Sequence, residues 1–307
     1  MSASLTASRI VVLIPCLNEE VTISKVVQDF RKELPQATIY VFDNNSTDRT
    51  AELARVEGAV VIPERKRGKG HVIAAMFRKV EADYYVMVDG DDTYSAAHVQ
   101  ALLQPLLDGE ADMTVATRLN EYEEESFRPL HVFGNNLVRS LVNWIFSSNL
   151  EDIMSGYRGF SRELVQNLPV LASGFEVETE MTIRVLDYGY TIQEVTVPYR
   201  ERPEGSFSKL NTFRDGFRVL YQIASISRSY KPILFFGVLA LFFGLIGLIA
   251  GGEVIVDYAV DGYVNKVPTA ILAVGCMLLC FGSIGIGAIL DTLNARFREV
   301  LRLLQRK

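Results

Sequence analysis

The chain has 307 residues, of which 49% are hydrophobic and 22% charged, and its formal net charge at pH 7 is −6. The mean hydropathy of +0.17 excludes a disordered chain and is high for a soluble enzyme, and the acidic balance argues against a general nucleic-acid-binding protein. Three cysteines exclude a disulfide framework, and His71, His98 and His131 are too scattered for a zinc site.

Short β-rich runs alternate with helical patterns through the first part of the chain. The predicted strands are 9–15, 38–43, 59–62, 84–89 and 112–117, and the predicted helices are 21–34, about 48–57, the segment after 68–70 and roughly 95–107. Short strands separated by helices predict an α/β fold that is Rossmann-like, with a mostly parallel sheet and helices on both faces.

Polar side chains collect where the predicted strands end. They are Asn18, Glu19, Asp43, Asp89, Asp91 and Arg118. Ligands of open α/β sheets bind at the carboxyl ends of the strands, so these side chains are candidates for one site. Asp43 can accept hydrogen bonds from a nucleobase or ribose there, although its loop is also suited to capping the next helix.

The segment Asp89-Gly90-Asp91-Asp92 follows the fourth predicted strand directly. Two carboxylates two residues apart at a strand end can converge on a hard divalent cation, Mg²⁺ or Mn²⁺, which keeps positions open for substrate phosphates. An acidic surface turn is the alternative interpretation, but the position after an apolar strand favours a metal site.

Two C-terminal segments, 233–252 and 267–290, contain no charged residue. Twenty helical residues span about 30 Å, the thickness of a bilayer's hydrocarbon core, so both segments are predicted to cross a membrane. Two buried core helices are the disfavoured alternative. The glycines in both segments are expected to allow close helix packing and a homo-oligomer.

Charged residues around these segments predict their orientation. The basic residues that flank them are Arg214, Arg218, Arg228 and Lys231 before the first, and Arg296, Arg298, Arg302, Arg306 and Lys307 after the second. The connecting loop is acidic, so the positive-inside rule predicts that both termini and the N-terminal domain are cytoplasmic. No signal peptide is expected, because the early apolar run is short and contains Pro15.

Amphipathic patterns adjoin the spanning segments. Residues 211–230 suit a helix at the membrane surface, with a helix packed on the domain as the alternative, and the basic tail can meet anionic lipid. The predicted organisation is a cytoplasmic catalytic domain, interfacial helices, two transmembrane helices and a cytoplasmic tail, at 1–210, 211–231, 232–291 and 292–307.

Four motifs resemble those of the family 2 glycosyltransferases with the GT-A fold over about residues 9–210. In chain order they are Pro15-Cys16-Leu17-Asn18-Glu19-Glu20, Asp43-Asn44-Asn45-Ser46-Thr47-Asp48, Gly68-Lys69-Gly70 and Asp89-Gly90-Asp91. Two later segments, DIMSGYRGF at 152–160 and RERPEGSFSKL at 200–210, resemble the dolichyl-phosphate-mannose synthase-like group. That group transfers a sugar from a nucleotide to a polyprenyl phosphate, and its bacterial members often carry two C-terminal spanning helices.

The resemblance implies roles for the matching residues. Those implied to bind the donor are Pro15, Leu17, Asn18, Glu19, Asp43, Lys69, Asp89, Gly90, Asp91, Arg202, Ser206, Ser208 and Lys209. Those implied to bind the acceptor are Arg118, Arg128, Ser155 and Arg158. Asp89 and Asp91 are implied to bind Mg²⁺ or Mn²⁺, and with Arg118 and Arg202 they form the implied catalytic set. The roles of Glu176 and Glu180 stay open.

The implied reaction is an inverting, metal-dependent transfer to undecaprenyl or dolichyl phosphate at the cytoplasmic face of the membrane, with UDP favoured over GDP in the donor. Two positions depart from the pattern: Thr93 stands where the group often has Gln, and Asn44 where many relatives have an acidic residue. The alternatives are a polysaccharide synthase with a glycan acceptor, whose usual Gln-x-x-Arg-Trp motif is absent here, and a non-catalytic scaffold that binds nucleotide-sugar.

Overall fold

The structure is a computed structural model that describes residues 9–118, 129–168, 177–199, 221 and 223–305. Two compact units divide the chain, Met1–Asp215 and Gly216–Lys307. The first holds a seven-stranded sheet and the second holds two long apolar helices.

The sheet is parallel except for one strand. Its strands are β1 (Ile10–Cys16), β2 (Thr38–Asp43), β3 (Val60–Pro63), β4 (Tyr84–Met87), β5 (Met113–Arg118), β6 (Arg158–Ser161) and β7 (Ile192–Val197). Their order is β3-β2-β1-β4-β6-β5-β7, and β6 runs antiparallel to both of its neighbours. The predicted mostly parallel sheet is therefore confirmed, with β6 and β7 added to the strands that the sequence predicted.

Helices cover both faces of the sheet. They are α1 (Ile23–Glu33), α2 (Thr50–Val56), α3 (Lys69–Lys79), α4 (Val99–Leu107) after a 3₁₀ turn at Ala96–His98, α5 (Pro129–Phe146), α6 (Arg162–Asn167) and α7 (Val177–Asp187). Alternate residues of β1 belong to two separate cores, Val12 with α1 and α4 on one face, and Val11 with α3 and α7 on the other. Burial on both faces explains why β1 is a continuous apolar run.

The direction of chain progression changes between β1 and β4. The chain moves from β1 to β2 and β3 on one side, and returns to β4 on the other. The residues after β1 and β4 therefore face each other at the carboxyl edge, where the Val88 amide donates to the Leu13 carbonyl at 3.1 Å. Such a switch point is where an open α/β sheet forms its ligand crevice.

The second unit contains α8 (Pro232–Asp261) and α9 (Val267–Gln305). Both are long and apolar enough to cross a membrane. In the most apolar 18-residue stretch of each helix, only 17% and 22% of the stretch is buried. Helices of a soluble core would bury these side chains, so the exposure agrees with the predicted spanning pair. The basic segment predicted as an amphipathic tail from residue 292 is helical and continuous with α9 as far as Gln305.

Glycines bring α8 and α9 together at particular points. A Cβ atom on Gly287 would lie 3.0 Å from the Cβ atom of Phe236, and one on Gly247 would lie 3.0 Å from the Sδ atom of Met277. Gly282 is different, since a Cβ there would meet no atom of the described residues within 4 Å. The predicted close packing therefore uses some of the glycines and not others.

Gly287→Ile is expected to weaken the packing of α8 against α9, because overpacking costs about 1–3 kcal/mol. The measurement is thermal loss of the helical circular dichroism signal in detergent, with Gly282→Ile as the matched control. Equal melting temperatures for the two variants would contradict the contact seen at Gly287.

Candidate active site

A cavity of about 280 Å³ opens where β1 and β4 end. It is lined by Pro15, Cys16, Leu17, Glu19, Asn44, Arg67, Gly68, Lys69, Val72, Asp89, Gly90 and Asp91. Seven of the residues predicted to bind the donor are thus brought together here, and they are Pro15, Leu17, Glu19, Lys69, Asp89, Gly90 and Asp91. Asn18 and Asp43 do not belong to this lining.

Two glycines let the carboxylate loop approach its neighbours closely. A Cβ atom on Gly90 would lie 2.7 Å from the Sγ atom of Cys16. A Cβ atom on Gly156 would lie 2.1 Å from Oδ2 of Asp89, far inside van der Waals contact. The DIMSGYRGF segment at 152–160 therefore packs its Gly156 directly against the Asp89 carboxylate.

Asp91 is held by a short local network. Its Oδ1 atom accepts hydrogen bonds from the Thr93 hydroxyl at 2.6 Å and the Thr93 amide at 3.2 Å. The Thr22 hydroxyl donates to the Gly90 carbonyl at 2.6 Å, and Lys25 pairs with Asp92 at 2.7 Å. Thr93 therefore orients the Asp91 carboxylate in this chain.

Lys69 lies between two carboxylates. Its Nζ atom is 2.5 Å from Oδ1 of Asp89 and 2.5 Å from Oε1 of Glu178 on α7. Burial works to lower the pKa of Lys69, but the charges of Asp89 and Glu178 outweigh burial and raise this pKa above its ordinary value. The ammonium group therefore stays charged at neutral pH.

Asn44 holds the basic loop that borders the cavity. Its side-chain amide donates to the carbonyls of Lys66 at 2.7 Å and Glu64 at 3.0 Å, and its oxygen accepts from the Gly68 amide at 2.8 Å. A carboxylate cannot donate, so an acidic residue would leave the two carbonyls without these bonds. This arrangement gives a physical reason for asparagine at position 44.

Asn18 and Asp43 tie loops together next to the cavity. The Oδ1 atom of Asn18 accepts from the backbone amide of Thr47 at 2.8 Å, and the backbone amide of Asn18 donates to the Ser46 hydroxyl. Asp43 accepts from the Ser46 amide at 3.3 Å. These bonds join the loop after β1 to the loop after β2, so both residues support the shape of the predicted donor site.

Arg118 ends β5 beside a second and larger cavity of about 970 Å³. Its Nε and Nη2 atoms donate to the two oxygens of Asp152 at 2.7 and 3.0 Å, and its guanidinium lies 5.5 Å from the centre of the Tyr199 ring. The cavity is also lined by Arg139 and by the amides of Asn135, Asn136, Asn143 and Asn149. A bidentate carboxylate pair fixes the plane of the guanidinium at the cavity wall.

Ser155 and Arg158, predicted to bind the acceptor, are both fully buried. Arg158 donates to the carbonyls of Ser155 and Ile153 and to the Thr182 hydroxyl, each at 2.8 Å. The Ser155 hydroxyl lies 3.2 Å from that of Tyr94. The structure therefore places these two residues in the interior of the domain, where the hydrogen bonds of Arg158 hold the segment that carries Gly156.

The remaining predicted residues lie outside the described part of the chain. They are Arg128, Arg202, Ser206, Ser208, Lys209 and Glu176. Glu180 pairs with Arg184 on the same helix at 2.9 Å, while Glu178, between the two glutamates singled out from the sequence, contacts Lys69. Sequence reasoning gave no role to Arg67 or Cys16, which also line the cavity. The available signal was that Arg67 directly precedes the GKG motif and that Cys16 is part of the PCLNEE motif.

Comparison with known proteins decides the family. The model of "Glycosyl transferase family 2" matches residues 11–168, which is half of the chain. The chain belongs to glycosyltransferase family 2. Glycosyltransferase AglJ of Haloferax volcanii is 30% identical to it over 282 residues, covering 90% of this chain and 92% of that relative.

A further relative and a solved structure extend the comparison of this family 2 glycosyltransferase. The dolichyl-phosphate hexose transferase of Haloferax volcanii is 29% identical over 221 residues, covering 72% of this chain and 95% of the relative. Glucosyl-3-phosphoglycerate synthase from Mycobacterium tuberculosis, crystallised with Mn²⁺, UDP and its product, superposes with a TM-score of 0.59 at 24% identity, covering 72% and 80% of the two chains. The fold prediction is confirmed, and so is the prediction of a glycosyltransferase rather than a scaffold.

Gly156→Ala is expected to displace Asp89, because the new methyl group would overlap its carboxylate. A shift of about 1 Å at a reacting centre can cost about a hundredfold in rate, so sugar-nucleotide turnover should fall by that order. Gly109→Ala is the control, since its positive φ makes it mildly strained while no described atom lies within 4 Å. Equal turnover in the two variants would show that Gly156 does not position Asp89.

Asn44→Asp is expected to loosen the 64–68 loop, because the carbonyls of Lys66 and Glu64 lose the Asn44 donor and face a carboxylate instead, although the Glu64 carbonyl keeps a bond from the Asn45 side chain at 3.2 Å. Unsatisfied polar groups cost about 1–3 kcal/mol, which predicts weaker nucleotide binding by roughly five- to 150-fold. Isothermal titration with UDP and GDP measures the effect, and Asn167→Asp, which alters an exposed local bond, is the control.

Proposed function

We propose that this glycosyltransferase transfers a hexose from a nucleotide-sugar, with UDP as the favoured nucleotide, to the phosphate of a polyprenyl phosphate at the cytoplasmic face of a membrane. The observation that carries the proposal is the pair of neighbouring sites in one domain. One site presents carboxylates and Lys69, and the other presents Arg118 in a large polar cavity. The relative named as a dolichyl-phosphate hexose transferase and the two long apolar helices support a lipid-linked acceptor.

The smaller cavity suits the nucleoside part of the donor. Pro15, Leu17 and Val72 provide apolar walls, and Glu19 and Arg67 provide polar groups at its edge. Ligand sites commonly combine apolar walls with a few polar groups that fix orientation. UDP bound to the similarly folded synthase supports uridine as the donor base.

Asp89 and Asp91 fit a divalent cation of the Mg²⁺ or Mn²⁺ type. Both offer hard oxygen ligands, and the ammonium of Lys69 against Asp89 shows that this carboxylate accepts a cation. The residues that the structure describes contain no group of three or more His, Cys, Asp or Glu arranged to hold a metal, so diphosphate and water oxygens would complete the coordination. When bound, such a cation neutralises charge on a leaving diphosphate.

Arg118 is suited to hold an acceptor phosphate. A phosphate monoester is already anionic near pH 7, with a second pKa of about 6, so it needs positioning more than a general base. The planar fork of arginine binds phosphate in a bidentate manner, and Arg118 shows this mode with Asp152. Phosphate binding therefore requires Asp152 to share or release the guanidinium, while Arg139 adds positive charge to the same cavity.

Direct attack by the acceptor phosphate on the anomeric carbon inverts its configuration, so an α-linked donor gives a β-linked lipid product. The anomeric coupling constant of the product, measured by nuclear magnetic resonance, checks this expectation. A retained configuration would rule out the single displacement.

The basic flanks of α8 and α9 support cytoplasmic termini under the positive-inside rule. A polyprenyl phosphate carries its charged end at the membrane surface, so the spanning pair serves as an anchor that keeps the catalytic domain near its acceptor. The glycines that meet no partner in the described chain leave room for a homo-oligomer.

A glycan acceptor is the second candidate. Asn135, Asn136 and Asn149 are among the residues that line the larger cavity, and amide groups donate to and accept from sugar hydroxyls. A processive synthase of this kind would use the cavity for a growing chain in place of a phosphate.

One assay separates the two acceptors. Detergent-purified protein with Mn²⁺ is incubated with a panel of UDP- and GDP-sugars, with and without undecaprenyl phosphate, and both nucleotide release and lipid-linked sugar are measured. Release that needs the lipid and one donor is the expected result. Release that needs a soluble glycan, without lipid product, would reject the lipid phosphate as acceptor.

Arg118→Met is expected to weaken use of the lipid phosphate. Hydrogen bonds to charged groups contribute about 1.5–3 kcal/mol, which predicts a fall of roughly ten- to 150-fold in kcat/KM for the acceptor. The KM for the donor should change little. Arg162→Met, which removes an exposed ion pair with Asp83, is the control.

A further inference from the structure

Lys69, Asp89 and Glu178 form a three-residue ion cluster at the edge of the smaller cavity. They come from three separate elements, namely the first residue of α3, the loop after β4 and the first turn of α7. Lys69 lies 2.5 Å from each carboxylate, and the Glu178 side chain is only 10% exposed. The cluster therefore joins the predicted metal ligand to a residue that has no assigned role.

Two cations of the described chain act on this cluster. Lys69 contacts Asp89 and Glu178 directly, and the fully buried guanidinium of Arg158 interacts electrostatically with the same two carboxylates. Of the two, Lys69 is the one that touches the carboxylate of Asp89.

Asp89 is crowded on both oxygens. Oδ1 pairs with Lys69, and Oδ2 packs on the backbone of Gly156. A cation that binds Asp89 must therefore compete with Lys69 for this carboxylate. A displaced and partly buried ammonium would be costly without another partner, and Glu178 provides one within contact distance.

We propose that Lys69 is the resident counter-ion of the metal-binding carboxylates, and that Glu178 is a positioning residue that retains Lys69 when a divalent cation binds Asp89. This inference rests on the proposed metal-dependent function. Lys69 then stays at the cavity wall, paired with Glu178, while Asp89 binds the divalent cation.

The two partners of Lys69 are expected to change metal affinity in opposite directions. Glu178→Gln leaves Asp89 as the only carboxylate for Lys69, so Mn²⁺ should bind about tenfold more weakly, a change of about 1.4 kcal/mol. Lys69→Met removes the competitor, so Mn²⁺ should bind about tenfold more tightly, again about 1.4 kcal/mol. General damage to the site would weaken binding in both variants.

A double-mutant cycle separates competition from simple charge removal. If Glu178 acts through Lys69, Glu178→Gln should have little effect on Mn²⁺ affinity in the Lys69→Met background. If Glu178 only adds negative charge, it should weaken Mn²⁺ binding equally in both backgrounds. The free Mn²⁺ signal in electron paramagnetic resonance reports affinity on the full chain in detergent, without donor or turnover.

Matched controls come from the same helices. Glu180→Gln makes the same change on α7 in a pair with Arg184, and Lys79→Met makes the same change on α3 in a pair with Glu64. Neither should shift Mn²⁺ affinity. Should Lys69→Met fold poorly, the rise in melting temperature with Mn²⁺ measures the same affinity by linkage, and this rise should exceed that of the wild type.

The outcomes distinguish the inference from the function on which it rests. Wild-type protein that binds Mn²⁺ and transfers sugar, with unchanged Mn²⁺ affinity in both single variants or weaker binding in both, would overturn the counter-ion role and leave the proposed function standing. Wild-type protein that transfers sugar without binding Mn²⁺ would overturn metal dependence and the inference together.

Discussion

The pairing of β1 with β2 on one side and β4 on the other is the constraint on which the site depends. Both pairings are parallel, so the three strands end at the same edge and their loops converge. The register matches Pro15 with Phe42 and Leu13 with Met87, which brings the residues after each strand within reach of one another. A slip of one residue would exchange the two faces of β1 and separate the residues that line the smaller cavity.

The crevice concentrates negative charge, and the surrounding structure is organised to hold each carboxylate separately. Thr93 orients Asp91, Lys25 pairs with Asp92, and Lys69 is shared between Asp89 and Glu178. Each of these acidic groups therefore has a partner that fixes its orientation in the crevice. Acidic side chains at the larger cavity are also fixed by specific partners. Asp152 pairs with Arg118 and accepts a hydrogen bond from the Met154 amide. Glu194 accepts hydrogen bonds from the backbone amides of residues 151 and 152.

Local pattern predicted five of the six parallel strands and the helices α1 to α4, because short β-rich runs and helical apolar spacing alternate there. It did not predict β6, which is four residues long, contains Arg158 and depends on antiparallel pairing with strands far away in the chain. The motif resemblance predicted which loops form the site, but it did not predict the hydrogen bonds within and between those loops. The burial of Arg158, the bond network of Asn44 and the contact between Lys69 and Glu178 all arise from tertiary packing, which spacing along the chain does not encode.

The unbroken length of α9 has a mechanical consequence. Its 39 residues form a rod of about 58 Å, nearly twice the thickness of a hydrocarbon core. In the last third of the helix, the Asn294 side chain donates to the Ser229 carbonyl at 2.6 Å, which links the helical segment 223–230 to α9. A helix accommodates a thinner bilayer by tilting, and a tilt of ten degrees moves the end of such a rod sideways by about 10 Å. Tilting of α9 therefore moves Ser229 together with the rod, because the Asn294 side chain holds its carbonyl.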